Sequence, residues 1–242
     1  MAPLSDMIPH PYYPRTLSIP SYSGRTWSPL QILGIFFSII FITMVIGYRV
    51  ISVSPHYSSK TKSSKVAQAS SAPLGTRLIF LWFLACSGIH FITEGYYVAF
   101  NQTIASRNSF MAELWKEYAL SDSRYITSDQ TIVWIEAITA YIWGPLCFIA
   151  CCMIYKNCSK RHLVLFSISF GQLYGDIIYY ATTLAEGAPH CNPHPFYFYF
   201  YFIFMNLFWI FIPIIVMMDS GKVIMSALNA THAPEKETRK NK

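Results

Sequence analysis

The chain has 242 residues, of which 53% are hydrophobic and only 12% are charged, and its formal net charge is +6. Ordinary globular domains carry about 25% charged residues, so this composition excludes a typical soluble domain and indicates a membrane protein. The basic residues stand at segment ends and in the C-terminal tail rather than in a stripe interleaved with aromatics, so no nucleic-acid binding is expected.

The predicted elements are helical throughout. Residues 1–29 are rich in Pro, Ser and Tyr and predict a loosely structured arm. The rest of the chain holds five apolar stretches that are each long enough to cross a bilayer, which takes about 20 helical residues. The sequence therefore predicts an all-α polytopic membrane protein, a five-helix bundle whose membrane domain covers 30–220. The five predicted spans are 30–53, 78–100, 131–155, 162–184 and 196–218.

A short amphipathic helix is predicted between the second and third spans, over residues 108–120, NSFMAELWKEYAL. Phe110, Leu114 and Tyr118 follow one another at intervals of four and form one apolar stripe, and Asn108 is the predicted N-cap. We expect this helix to lie on the membrane surface and to cover a cavity between the spans.

The distribution of Lys and Arg predicts the orientation. The Ser/Lys-rich loop 54–76, the loop between spans three and four and the tail 221–242 are basic, whereas loops 101–130 and 185–195 are mixed or acidic. By the positive-inside rule the basic side is cytosolic, which makes the N-terminal arm luminal and the tail cytosolic. The final four residues, RKNK, resemble a dilysine-type retrieval signal and favour the endoplasmic reticulum membrane, although a plain solvated basic tail competes with that interpretation.

Polar residues within the spans form one common layer. The polar residues of each span are spaced by three or four positions, so they lie on one face of that helix. Polar faces in a membrane point into the bundle rather than toward lipid. At 1.5 Å per residue, six of these polar residues lie about 8–15 Å below the luminal ends of their spans, namely His90, Glu94, Glu136, Thr139, Asp176 and Asn206. This coincidence favours one shared site over separate contacts that only bridge helices. The residues are His90, Glu94, Glu136, Thr139, Gln172, Asp176, Asn206 and Trp209.

This set of side chains suits proton transfer in an apolar setting. A carboxyl group in an apolar pocket keeps its proton and can act as an acid, and a His beside a Glu forms a proton-transfer couple. An indole face stabilises a nearby cation. Together they suit protonation of a carbon–carbon double bond followed by loss of a different proton. No metal-ligand set, Gly-rich phosphate loop or nucleophile motif accompanies them, so no metal or cofactor is expected.

Six segments in order over residues 9–220 resemble the emopamil-binding protein family. They are HPYYP, IHFITEGYYV, LWKEYALSDSRYI, EAITAYIWGP, GQLYGDIIYY and FYFYFIFMNLFWI. The resemblance implies a sterol Δ8–Δ7 isomerase of the endoplasmic reticulum, a five-helix bundle with an intramembrane sterol cavity that is often dimeric. It also implies that a Δ8-unsaturated sterol is protonated at C9 and deprotonated at C7, which moves the double bond from C8=C9 to C7=C8. Lipophilic amines are expected to inhibit, since an ammonium mimics the carbocation.

The resemblance also implies residue roles. His90, Glu94 and Glu136 are the expected acid–base group, with Thr139 and Asn206 as supporting hydrogen-bond partners. Trp209 is the expected cation-stabilising indole. The remaining candidates are Tyr118 and Tyr125, which resemble the cavity-lining tyrosines of the family, and Asp176, whose role stays open between the site and a helix bridge.

Two other classes of protein compete with an isomerase. The first is a non-catalytic sterol- or amine-binding membrane protein of the sigma-2 receptor kind, which shares the bundle. An amine binder needs one carboxylate, whereas this chain carries the whole set of His90, Glu94, Glu136, Asn206 and Trp209, so the enzyme is favoured. The second is an ion-coupled transporter, which neither internal repeats nor broken helices support.

Overall fold

The computed structural model describes residues 9–57 and 71–240, with side chains as far as Thr231. Within these ranges the long regular elements are all helices, and the only β-type pairing there is an isolated bridge between Asp122 and Cys191. The all-α class is confirmed. The helices are α1 (Pro29–Ser52), α2 (Leu74–Ser106), α3 (Phe110–Tyr118), α4 (Gln130–Tyr155), α5 (Arg161–Ala185) and α6 (196–240).

Within the part of the chain that the structure describes, four helical segments are long and apolar enough to cross a membrane, namely α1, α2, α4 and Phe196–Thr231 of α6. By length and hydropathy, the count of five spans is therefore corrected to four. The predicted fourth span, 162–184, does form the 25-residue helix α5. Its Gln172, Asp176 and several hydroxyl-bearing side chains lower its hydropathy, which is why it falls outside the four. It packs lengthwise against α6 and remains part of the bundle.

Three of the long helices contain a π-helical segment, in which the backbone hydrogen bonds run from residue i to i+5. These segments are Ile89–Glu94 in α2, Thr139–Trp143 in α4 and Phe196–Phe204 in α6. Such segments are rare and occur frequently at functional sites. Two of the three carry predicted site residues, so the backbone departs from the regular α-helix where polar side chains enter the bundle.

The last helix continues beyond the predicted end of the fifth span at 218. From Met205 it runs without a break to Lys240. The charged residues Asp219 and Lys222 therefore lie within the helix rather than at its end. Of the predicted loop 54–76, residues 58–70 lie outside the described residues, as do the last two residues of the tail.

The N-terminal arm is packed against the bundle, so the prediction of a loosely structured segment is wrong for its described part. It lacks regular secondary structure up to Ser28, but Tyr12 and Tyr22 are buried and meet edge to face at 5.5 Å between ring centroids. Arg25 pairs with Glu117 of α3. Buried aromatic surface and this ion pair order the arm, neither of which its Pro- and Ser-rich composition indicated.

Helix α3 is buried beneath the arm, so the prediction of a surface helix is also wrong. Residues 112–117 are all buried, including Lys116 and Glu113. The Lys116 ammonium donates to the Ser23 carbonyl at 3.1 Å and to Asn108 Oδ1 at 3.0 Å, and it lies 3.4 Å from Glu113. Burial lowers the pKa of Lys116, and the neighbouring Glu113 opposes that effect. The arm therefore covers the polar face that was expected to meet water.

The cap of α3 also differs from the prediction. Ser109, not Asn108, is the N-cap, since its hydroxyl accepts from the Ala112 amide at 3.4 Å. The Asn108 side chain is instead used by Lys116. The helix does cover a cavity between the long helices, as expected, because Leu114 and Tyr118 line it.

Two buried clusters stabilise the bundle, one at the arm end and one at the opposite end. The arm-end cluster is largely aromatic and includes Tyr97, Trp115, Tyr125, Tyr179 and Phe202. The opposite cluster consists mostly of aliphatic, phenylalanine and cysteine side chains from α1, α2, α4, α5 and α6. Bulky rings at one end and smaller side chains at the other leave the cavity between them.

Candidate active site

A cavity of about 380 Å³ lies inside the bundle and is lined mainly by apolar side chains. This volume falls in the range of ligand pockets. All five long helices contribute to its wall, as does α3, so it is a property of the whole bundle. All nine residues predicted from the sequence line it: His90, Glu94, Tyr118, Tyr125, Glu136, Thr139, Asp176, Asn206 and Trp209.

His90 and Glu94 form a buried pair on the π-helical segment of α2. His90 Nδ1 lies 2.8 Å from one Glu94 carboxyl oxygen and 2.7 Å from the other. A π-helix takes more residues per turn than an α-helix, so positions four apart lie more nearly above one another. The local backbone thereby brings the imidazole and the carboxyl group into direct contact.

Glu136 of α4 faces this pair. Its carboxyl group interacts directly with that of Glu94 and accepts a hydrogen bond from the Tyr125 hydroxyl at 2.7 Å. Burial, followed by the nearby Glu136, raises the pKa of Tyr125, so the phenol keeps its proton and acts as a donor. Both carboxyl groups therefore face the same largely apolar cavity.

Thr139 supports Glu136 from within the same helix. Its hydroxyl donates to the Glu136 carbonyl at 2.8 Å and is within reach of the Glu136 carboxyl group. Thr139 is also the first residue of the second π-helical segment. This segment packs against the π-helical segment of α2, which brings the two glutamates together.

Asn206 of α6 is joined to Tyr118 of α3. Its amide nitrogen donates to the Tyr118 hydroxyl at 3.3 Å and to the Phe202 carbonyl at 2.8 Å. Burial raises the pKa of Tyr118, so this phenol also stays protonated. This hydrogen bond holds α3, the lid helix that covers the cavity, against α6 at the cavity wall.

Trp209 lines the cavity beside His90, with 6.3 Å between ring centroids. A second indole, that of Trp82, lies 5.5 Å from it. In the described part of the chain neither indole N–H has a hydrogen-bond partner. The two rings give the site an electron-rich wall of the kind that stabilises a cation.

Asp176 of α5 lines the cavity without an internal partner. Its Oδ2 is buried and accepts no hydrogen bond from any residue that the structure describes. A carboxyl group that bridged two helices would have a partner on the second helix, so this arrangement favours a role toward the cavity over a helix bridge.

Further polar residues that were not among the candidates also line the cavity, among them Trp82, Glu117 and Gln172. The amide nitrogen of Gln172 lies 3.0 Å from His90 Nε2. The position of Gln172 in the predicted polar layer already pointed to the cavity. Glu117 accepts from Tyr201 at 3.2 Å. The sequence did not predict Glu117 as a lining residue, because the helix that carries it was expected at the surface. Trp82 stands in an apolar run that gives no sign of its role.

The fold and the site define a polytopic membrane protein with a buried group of ionisable side chains in a largely apolar cavity. Residues 110–220 match the family EXPERA (EXPanded EBP superfamily). The chain is 36% identical to 3-beta-hydroxysteroid-Delta(8),Delta(7)-isomerase of Cavia porcellus over 224 residues, which cover 91% of each protein. It is 31% identical to a probable isomerase of the same name from Arabidopsis thaliana over 96% of each chain.

A relative with a different name is the protoglabretal synthase of Citrus sinensis, which is 35% identical over 142 residues. That alignment covers 58% of this chain and 66% of the relative. Because the identity to the isomerases extends over nearly the whole of both proteins, the chain belongs to the EXPERA family of emopamil-binding-protein-like membrane proteins.

Proposed function

We propose that this chain is a sterol Δ8–Δ7 isomerase, which transposes the ring double bond from C8=C9 to C7=C8. The observation that carries the proposal is the contact between the His90–Glu94 pair and Glu136 inside the apolar cavity. The names of the relatives that match over nine-tenths of the chain support the same reaction.

The carboxyl groups carry the proton transfers in this proposal. A protonated carboxyl group of the Glu94–Glu136 pair donates to C9, the double-bond electrons form the new C–H bond, and the positive charge develops at C8. A carboxylate of the same pair then takes a proton from C7, and the electrons of that C–H bond form C7=C8. One proton enters and one leaves, so the enzyme returns to its starting state.

The other site residues have supporting roles in the proposal. Trp209 stabilises the cation through its indole face, while Tyr125 and Thr139 hold the Glu136 carboxyl group in position. Asn206 and Tyr118 fix the lid helix at the cavity wall. The apolar lining excludes water, which would otherwise capture the cation as an alcohol.

The direct test is conversion of an 8(9)-unsaturated sterol, such as zymosterol, by the purified protein in detergent. We expect a Δ7 product from the wild type and its loss by a factor of 10² or more in Glu136→Gln, the range of general acid–base contributions being about 10²–10⁴. Glu186→Gln is the matched control, since Glu186 is exposed at the end of α5. Tight sterol binding without any conversion would move the chain to the non-catalytic binding class.

We also propose that the protein resides in the endoplasmic reticulum membrane, with the arm 1–29 luminal, the membrane domain at 30–220 and the tail 221–242 cytosolic. The positive-inside distribution of Lys and Arg supports this orientation. Labelling of a single cysteine introduced at residue 24 or at residue 230 in sealed microsomes tests it. We expect a membrane-impermeant thiol reagent to modify only the tail position, and modification of the arm position instead would reverse the topology.

The family resemblance further supports a homodimer, which light scattering of the purified protein tests. A mass of one chain after subtraction of the detergent would refute the dimer without affecting the isomerase proposal.

A further inference from the structure

Gln172 of α5 contacts the imidazole of the acid–base group on the side away from Glu94. Its side chain is buried, and its amide nitrogen lies 3.0 Å from His90 Nε2. An amide nitrogen can only donate, so Nε2 accepts, and the single proton of a neutral imidazole stands on Nδ1, facing the Glu94 carboxyl group. Both ring nitrogens are therefore occupied by protein side chains, and neither is free to reach a sterol carbon.

The other end of the same amide has no partner. Gln172 Oε1 is buried, and none of the described residues donates a hydrogen bond to it. Buried carbonyl oxygens are almost always hydrogen-bonded, so this one needs an explanation. A half-turn about the terminal side-chain bond would exchange the nitrogen for the oxygen and present an acceptor to His90 Nε2.

The two amide orientations correspond to two proton counts on the His90–Glu94 pair. With one proton, Nδ1–H donates to a Glu94 carboxylate and Nε2 accepts from Gln172, which is the arrangement in the structure. With two protons, the pair is either an imidazole with a carboxylic acid or an imidazolium with a carboxylate. In both forms Nε2 carries a hydrogen and requires an acceptor, which only the reversed amide supplies.

We propose that Gln172 is a positioning residue that reverses its amide as the His90–Glu94 pair changes between its one-proton and two-proton forms. The inference rests on the proposed isomerase function. Glu136 donates its proton to C9 while the His90–Glu94 pair is in the one-proton form seen here. The Glu94 carboxylate then takes the proton from C7, which gives the two-proton form, and transfer of that proton to the neighbouring Glu136 carboxylate restores the one-proton form.

Nitrogen NMR of the ¹⁵N-histidine-labelled protein in detergent tests the inference, with the His90→Asn variant used to assign the His90 signals. In the wild type we expect His90 with a protonated Nδ1 and an unprotonated Nε2. In Gln172→Met the donor to Nε2 is lost while the size is nearly kept, so the Nε2–H tautomer should gain population. The wild-type spectrum needs no variant at residue 172, so misfolding of a variant does not leave the question open.

The kinetic part of the test separates positioning from packing. Gln172→Met should lower kcat by about tenfold or more, as loss of a partner that orients a functional His does, with KM changed by less than about twofold. Gln102→Leu is the control, because Gln102 is exposed and is not among the residues that line the cavity. A wild-type His90 protonated on Nε2, or a His90 spectrum unchanged in Gln172→Met, would overturn the inference.

The two readouts also distinguish this inference from the function on which it rests. Sterol conversion by the wild type together with an insensitive His90 spectrum would refute the role of Gln172 and leave the isomerase intact. The expected tautomer shift in a protein that converts no sterol would refute the isomerase, and with it the catalytic meaning of the coupling.

Discussion

At the scale of single residues, the site is a small group of polar side chains that form their hydrogen bonds mainly with one another. His90 contacts Glu94 and Gln172, while Glu136 contacts Glu94 and Tyr125. In a largely apolar cavity, no solvent competes with these contacts, so removal of one partner leaves another buried and unpaired, which is costly. Each member of the group therefore affects the others more strongly than it would at a surface.

Two substitutions separate the cation-stabilising role of Trp209 from the space that its side chain fills. We expect Trp209→Phe to keep part of the activity, since a phenyl face still attracts a cation, and Trp209→Leu to lose about thirtyfold in kcat, which corresponds to a cation–π interaction of about 2 kcal/mol. Steady-state sterol conversion measures both. Equal loss in the two variants would mean that Trp209 acts only by filling space.

Ionisable residues in apolar spans are rare and have few structural explanations, which is why His90, Glu94, Glu136 and Asp176 stood out in the sequence. Tyr118 and Tyr125 were candidates only through the family resemblance. The sequence could not show that Glu94 and Glu136 touch, because that contact depends on how α2 and α4 pack. It also gave no sign of Trp82, whose aromatic ring is as ordinary in a span as the phenylalanines around it.

At the scale of elements, two π-helical segments determine how the site is assembled. The segments Ile89–Glu94 and Thr139–Trp143 pack against each other, and Gly144 follows directly after the second. A Cβ atom at Gly144 would lie 2.9 Å from the backbone nitrogen of Phe91, the neighbour of His90. The close approach of α4 to α2 thus depends on a glycine at this position.

Gly144→Ala should accordingly push the two segments apart. Because the clash is with backbone that cannot rotate away, we expect a clear loss of isomerase activity and a lower thermal unfolding midpoint. Gly34→Ala serves as the control, since no atom lies within 4 Å of a Cβ built there. Wild-type behaviour of Gly144→Ala would show that the separation of α2 and α4 is not critical.

The arm and α3 form a second unit, in which charged groups are buried under the N-terminal residues. Arg25 pairs with Glu117, which lines the cavity and is almost completely buried. Composition predicted neither the packed arm nor the buried helix, because a Pro- and Ser-rich segment is normally mobile and an amphipathic helix normally lies at a surface. The ion pair between Arg25 and Glu117 forms only in the tertiary structure, and it outweighed the local preferences of the arm and of the helix.

Loss of Arg25 should destabilise the protein by leaving the Glu117 carboxylate buried and unpaired. We expect Arg25→Ala to lower the stability by about 2 kcal/mol and the double variant Arg25→Ala/Glu117→Gln to recover part of that loss. Thermal unfolding in detergent measures both. A double variant less stable than Arg25→Ala would contradict the explanation.

At the scale of the whole molecule, an aromatic cluster and an aliphatic cluster enclose one cavity to which every long helix contributes. The class of the fold followed from hydropathy alone. The number of spans did not, because α5 exposes polar groups to the cavity and so resembles a less apolar helix. The polar side chains that make α5 part of the site are the same ones that lower its hydropathy.

Lipophilic amines should compete with the sterol for this cavity. Their ammonium group would replace the cation at C8 beside the two carboxyl groups and the indole faces. We expect competitive inhibition, at least about tenfold weaker for an uncharged analogue of the same shape and weaker also in Glu94→Gln. Noncompetitive inhibition that is unaffected by Glu94→Gln would place the amine site elsewhere.

The most direct measurement of the central claim is sterol conversion in deuterated water, followed by mass spectrometry of the product. A protonation–deprotonation mechanism predicts a Δ7 sterol with one deuterium, at C9, from the wild type and from Glu186→Gln, and no such product from Glu94→Ala or Glu136→Ala. A Δ7 product without deuterium at C9, or full incorporation by both glutamate variants, would contradict the account.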